Sequence, residues 1–177
     1  MLTTIVNEAI HKCQKILTVA RLRYTEVMTT IGSAQAMQEF GQLVGASLRG
    51  GETIELVGDV GAGKTTFVRG LAKGLAIDET VQSPSFTISR VYEGPQGIRL
   101  AHYDFYRLDD PGIMADELAE AINDANTVVV VEWAGTVATL LPEDRLRLTF
   151  ASPSEESRTV DIEVGDALRE QLGDVLA

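Results

Sequence analysis

Apolar residues recur at three- and four-residue spacing in two stretches of the N-terminal third of the chain. Ile5, Ala9, Ile10, Cys13, Ile16, Leu17 and Ala20 form the first stripe, and Ala36, Met37, Phe40, Leu43, Val44 and Leu48 the second. Both predict amphipathic helices. Ser33 stands where an N-cap oxygen would meet the second helix, and Gly50-Gly51 supplies its stop. Beyond the glycines the period shortens. Residues 53–57 (TIELV) predict a strand, and residues 65–75 return to helical spacing through Phe67, Val68, Leu71 and Leu75. Residues 85–92 and 98–105 are β-patterned runs split by Glu93-Gly94-Pro95-Gln96-Gly97, which predicts an antiparallel hairpin. A short helix over 116–122 precedes Thr127-Val-Val-Val-Val131, a continuous β-branched run expected of a central strand covered on both faces. Strands over 145–150 and 158–164, a turn at Ser152-Pro153-Ser154 and a closing helix over 166–176 complete the pattern. The fold class is α/β: three layers around a mixed, mostly parallel central sheet, with antiparallel hairpin strands added.

Charge divides the chain. Residues 1–30 carry Lys12, Lys15, Arg21 and Arg23 against Glu8 and Glu26, whereas the 177 residues together sum to a formal charge of -11. Residues 1–30 are therefore expected to be a helical extension, with a possible true start at Met28, and residues 31–177 the functional domain. The acidic total argues against a protein that grips nucleic acid by broad phosphate neutralisation. Cys13 is the one cysteine and His11 and His102 are the two histidines, so disulfide scaffolds and thiolate or imidazole metal clusters are excluded. Oxygen ligands and a hard cation such as Mg²⁺ remain. With no apolar run long enough for a membrane span and no secretion signal at its start, the expected address is the cytoplasm and no membrane partner is expected.

Gly58-Asp-Val-Gly-Ala-Gly63-Lys64-Thr65 satisfies G-x-x-x-x-G-K-[ST] and lies between a predicted strand and a predicted helix, the setting a phosphate loop requires. Its glycines let successive N–H groups converge on an anion that also faces the positive end of the helix. Lys64 would reach the β- and γ-phosphates, and the Thr65 hydroxyl would ligate Mg²⁺. A second acid for that metal is expected at the end of a buried strand beside the loop, where Glu132 directly follows the valine run. Alternation in His102-Tyr-Asp104-Phe-Tyr106-Arg107 places His102, Asp104 and Tyr106 on one face. Asp104 is a candidate for orienting an attacking water or supporting the metal, and His102 reads as a hydrogen-bonded structural histidine. Ser83-Pro84-Ser85-Phe86 fits either turn chemistry around Pro84 or a loop that senses the γ-phosphate. Trp133 is compatible with the core or with the nucleotide's surroundings.

Taken together, GDVGAGKTTFVRGLAKGL from Gly58, VQSPSF from Val81, HYDFYRL from His102 and VVEW ending at Trp133, with Leu141-Pro142 beyond, resemble the TsaE (YjeE) family. The resemblance runs over about residues 33–150. It implies a P-loop ATPase required for threonylcarbamoylation of the adenosine beside the tRNA anticodon, with ATP and Mg²⁺ as cofactors. It further implies that Gly61, Ala62, Gly63, Lys64, Thr65 and Thr66 bind the ATP phosphates, that Thr65 and Glu132 hold Mg²⁺, and that Asp104 is needed for hydrolysis. The implied partners are TsaD and TsaB, with tRNA reached indirectly through them. Ser85 replaces the family's usual threonine and keeps the hydroxyl; Met37 falls where the family usually has threonine, so no adenine contact is assigned there. A GTP- or ATP-dependent switch module and a small-molecule kinase are the alternatives. The first lacks an N/T-K-x-D guanine-reading motif around Lys12, Lys15, Lys64 or Lys73, and the second lacks an arginine-rich lid.

Overall fold

The computed structural model describes residues 25–106, 108–152 and 157–176. In chain order these form β1 (Thr25–Ile31), α1 (Ala34–Ser47), β2 (Thr53–Val57), α2 (Lys64–Gly74), β3 (Ser89–Glu93) and β4 (Arg99–Asp104). They continue with α3 (Ile113–Ile122), β5 (Thr127–Glu132), β6 (Leu146–Ala151), β7 (Arg158–Val164) and α4 (Asp166–Leu172). The strands make one seven-stranded sheet in the order β1-β7-β6-β2-β5-β4-β3. Its centre, β6-β2-β5-β4, is parallel, while β3 pairs antiparallel with β4, and β7 pairs antiparallel with both β6 and β1.

The valine run is central as its composition predicts. Val128, Val129, Val130 and Val131 are all fully buried, each contributing about 2 kcal/mol of apolar burial. Alternate members feed opposite faces. Val128 and Val130 join Ile54, Leu56 and Leu100 in the larger core beneath α1, α2 and α4, whereas Val129 and Val131 pack with Tyr103, Leu118 and Val137 under α3 and the segment after β5. Three layers result.

Helices α1 and α2 lie against each other through glycines. A Cβ on Gly41 would stand 2.2 Å from the Phe67 carbonyl oxygen, one on Gly45 2.2 Å from that of Leu71, and one on Gly70 2.1 Å from that of Gln38. Backbone cannot yield as a flexible side chain can. Gly45→Ala is therefore expected to lower unfolding stability by about 2–3 kcal/mol, read as a shifted urea midpoint at unchanged slope. An unchanged midpoint would contradict so close an approach.

Four boundaries differ from the sequence expectation by three residues or more, and the others agree to within two. Residues 25–30, assigned above to a helical extension, belong to strand β1, paired residue for residue with β7 from Thr25↔Val164 to Ile31↔Arg158. The amphipathic stripe from Ile5 to Ala20 lies outside the described residues. Residues 85–88 are a turn, with Thr87 and Ile88 N–H both donating to the Pro84 carbonyl at 2.8 and 2.7 Å, so β3 begins at Ser89. Helix α3 starts at Ile113, three residues before the expected Asp116, because Gly112 supplies a turn with φ 50°. The closing helix stops at Leu172, where Gly173 turns the backbone to φ 46° and a 3-10 turn follows. Of the expected turn at Ser152-Pro153-Ser154, positions 153 and 154 lie outside the described residues, as does Arg107.

Candidate functional site

Strand β2 and helix α2 are joined by the glycine-rich loop, which turns at Gly58 (φ 137°), Gly61 (φ 85°) and Gly63 (φ 111°), values at which a Cβ would be strained. Gly63 occupies the N-cap of α2 and can offer no side-chain cap, and the first turn contains no acid. The first N–H groups of α2 are thus left facing outward at the positive end of the helix, an arrangement complementary to an anion. A cavity of about 160 Å³ opens there, walled by Gly61, Gly63, Lys64, Thr65 and Thr66 from the loop and helix and by Asp104 and Glu132 from the ends of β4 and β5. Ala62 differs from its neighbours: its methyl group is buried in the core under the loop, which leaves only its backbone for binding.

Parallel pairing explains why the two carboxylates meet. Asp104 and Glu132 are partners in the β4–β5 register and both are 3% exposed, at the C-terminal edge of the sheet where α/β folds present their sites. Lys64 is 5% exposed, and its Nζ donates to the carbonyls of Gly58 (2.7 Å) and Asp59 (3.0 Å). The same ammonium stands 3.5 Å from Glu132 Oε2 and 5.0 Å from the centre of the Trp133 ring. The lysine is folded back onto its own loop, and Glu132 is its counter-ion. A buried carboxylate would otherwise carry a heavy desolvation cost. The other oxygen, Oε1, accepts from His102 Nε2 at 2.9 Å.

Asp104 is held from two sides. Its Oδ1 accepts from the Tyr106 N–H at 2.9 Å, and its Oδ2 accepts from the Ser85 hydroxyl at 2.5 Å. Ser85 in turn shares a hydrogen bond with Ser83 at 2.7 Å. The Ser83-Pro84-Ser85-Phe86 segment is thus both a turn and part of the cavity wall. Arg69 Nε donates to the Val81 carbonyl at 3.1 Å, and the Tyr92 hydroxyl brackets Gln82, anchoring that segment to α2 and β3.

Trp133, which the sequence leaves between core and nucleotide surroundings, and Tyr106, to which it gives no role, both line the cavity with ring centres 4.9 Å apart. Trp133 adopts a left-handed conformation (φ 57°), a costly state for a bulky residue, and this reverses the chain directly after Glu132. The signal for it was the aromatic next to the acid, which spacing alone could not orient.

The donor set suits a hard cation shared with phosphate. No group of three or more His, Cys, Asp or Glu side chains able to hold a metal exists among the described residues. Glu132 could supply a carboxylate oxygen and Thr65 a hydroxyl, and Mg²⁺ is characteristically bound by one or two carboxylates together with substrate phosphates and several waters. A second cavity, of about 320 Å³, shares Gly61, Gly63 and Thr66 with the first and extends to Met37 and Arg158. No helix among the described residues is long and apolar enough to cross a membrane.

Known proteins match this arrangement over most of the domain. Residues 31–160 fit the family model described as threonylcarbamoyl adenosine biosynthesis protein TsaE. A TsaE protein of Treponema pallidum is 37% identical over 130 residues, covering 73% of this chain and 95% of its own. That of Streptomyces coelicolor is 41% identical over 113 residues, covering 63% and 76%, and that of Bacillus subtilis 35% identical over 119 residues, covering 67% and 73%. The crystal structure of Bacillus subtilis YdiB superimposes with a TM-score of 0.71 at 29% identity, covering 86% of this chain and 95% of that one. With its glycine-rich loop, strand-end acids and the four parallel central strands inside the matched region, the chain belongs to the TsaE family of threonylcarbamoyl adenosine biosynthesis proteins.

Proposed function

We propose that the protein is a Mg²⁺-dependent ATPase that supports formation of the threonylcarbamoyl group on adenosine beside the tRNA anticodon, acting on a TsaD–TsaB complex. The observation that carries the reading is the convergence of Lys64, Glu132 and Asp104 on the uncapped start of α2. In this reading the N–H groups of residues 61–66 receive the phosphates, and the cavity beside Met37 receives the nucleoside. Lys64 leaves the Gly58 and Asp59 carbonyls for the β/γ oxygens. Thr65 and Glu132 would hold Mg²⁺, which would supply positive charge against the phosphate oxygens. Asp104, fixed by Tyr106 and Ser85, orients the attacking water and takes up its proton.

A partner enters the reading for reasons of charge and surface. Lys64 is the one cationic side chain among the described residues lining the cavity, and phosphoryl transfer gains about a thousandfold or more from an added arginine. Val60 and Phe86, on the two loops that flank the cavity, are 71% and 101% exposed, so apolar groups stand in water where a partner would cover them. At -11 the chain is poorly suited to meet tRNA alone.

Because Trp133 is the single tryptophan and lines the cavity, its fluorescence should follow titration with ATP, and GTP should compete poorly. Hydrolysis is then measured for the protein alone, with TsaD–TsaB, and with tRNA alone. Slow turnover that rises at least tenfold with TsaD–TsaB is expected. Fast turnover alone, or stimulation by tRNA without those proteins, would overturn the reading.

A further inference from the structure

We propose that His102 is a positioning residue for Glu132, holding its carboxylate in the orientation that receives the divalent cation; the proposal rests on the functional reading above. His102 lies on β4 in register with Val130 and is completely buried, on the face that also carries Leu100. An aliphatic side chain would suit those surroundings better than an imidazole. The ring makes one hydrogen bond among the described residues, to Glu132 Oε1 at 2.9 Å, and its buried Nδ1 has no partner. A carboxylate can only accept, so Nε2 is the donor.

The consequence concerns what happens when Lys64 is called away. Oε2 of Glu132 faces the Lys64 ammonium at 3.5 Å, and that partner is lost once the lysine turns to a phosphate. Oε1 then remains tethered to an imidazole that is itself locked in the core. Glu132 therefore keeps Oε2 aimed at the loop throughout the exchange, with no need to search for its rotamer after nucleotide arrives. Removing such a supporting hydrogen bond typically weakens a metal site by ten- to a hundredfold.

Two variants separate this role from simple packing. His102→Leu keeps an apolar volume in the core and removes the donor, and His102→Gln restores an N–H near the position of Nε2. Trp133 fluorescence gives ATP affinity in EDTA and across a Mg²⁺ series, and thermal unfolding is measured beside it. For His102→Leu, about tenfold more Mg²⁺ is expected for the half-maximal gain in affinity, with affinity in EDTA changed less than about twofold and unfolding still cooperative, at a melting temperature lowered by the one hydrogen bond the buried carboxylate loses. His102→Gln is expected to recover most of the Mg²⁺ response. A parental Mg²⁺ response in His102→Leu, an equal loss of affinity with and without Mg²⁺, or no recovery in His102→Gln would each overturn the proposal. Glu132→Gln is run in parallel. If it loses the Mg²⁺ response while His102→Leu does not, the proposal alone fails; if Glu132→Gln also keeps the response, the assignment of Glu132 to the metal fails with it.

Discussion

Lys64→Ala is expected to weaken ATP binding by about a hundredfold, close to 2.7 kcal/mol. A unit charge about 4 Å from a phosphate oxygen gains about 4 kcal/mol at an effective dielectric near 20. Not all of that appears as affinity, because the lysine gives up two carbonyl hydrogen bonds and its approach to Glu132 when it moves. The remainder is still the largest single contribution in the site, since the other phosphate contacts come from backbone N–H groups that alanine leaves in place. The variant also strands Glu132, whose only remaining described partner is His102, so its unfolding midpoint is measured alongside binding. A folded Lys64→Ala that binds ATP like the parent would refute the phosphate-loop assignment. Lys64→Arg is the stricter companion: it keeps the charge but swaps a compact ammonium for a planar fork in a space 5.0 Å from Trp133. It too is expected to bind poorly.

What could be read in advance follows the range of the interactions involved. The phosphate loop and β5 announce themselves because their signals are local: glycines at fixed spacing before a lysine, and four consecutive valines. β1 carries a β-branched composition, TEVMTTI, yet its only strand partner among the described residues is β7 at the other end of the chain. Its neighbours in sequence suggest a helical extension, and non-local pairing decides the outcome. The same distinction runs through the site. Glu132 and Asp104 could be named from strand ends and aromatic surroundings. The His102–Glu132 bond could not, because it depends on the parallel register that sets Asp104 opposite Glu132 and His102 opposite Val130. Ser85 reaches Asp104 only because the chain turns around the Pro84 carbonyl instead of entering β3 early.

Asp104→Asn is expected to leave ATP affinity within about threefold of the parent while lowering the single-turnover hydrolysis rate by about a hundredfold, the lower end for loss of a positioned base. The substitution is nearly isosteric, and the hydrogen bonds around it can be rebuilt. The asparagine carbonyl can still accept from the Tyr106 N–H, and its amide can donate to Ser85, whose hydroxyl then turns to accept. The fold therefore has little reason to change. What disappears is the negative charge at the cavity wall and the ability to take a proton from water. Removing a negative charge from beside a triphosphate tends to help binding, so a fall in rate cannot be blamed on a lost complex. Single-turnover measurements with TsaD–TsaB present remove product release from the comparison. Parental hydrolysis in Asp104→Asn would make this carboxylate an anchor for the 83–86 loop and nothing more. Loss of binding and hydrolysis together would make it part of the nucleotide's cradle instead.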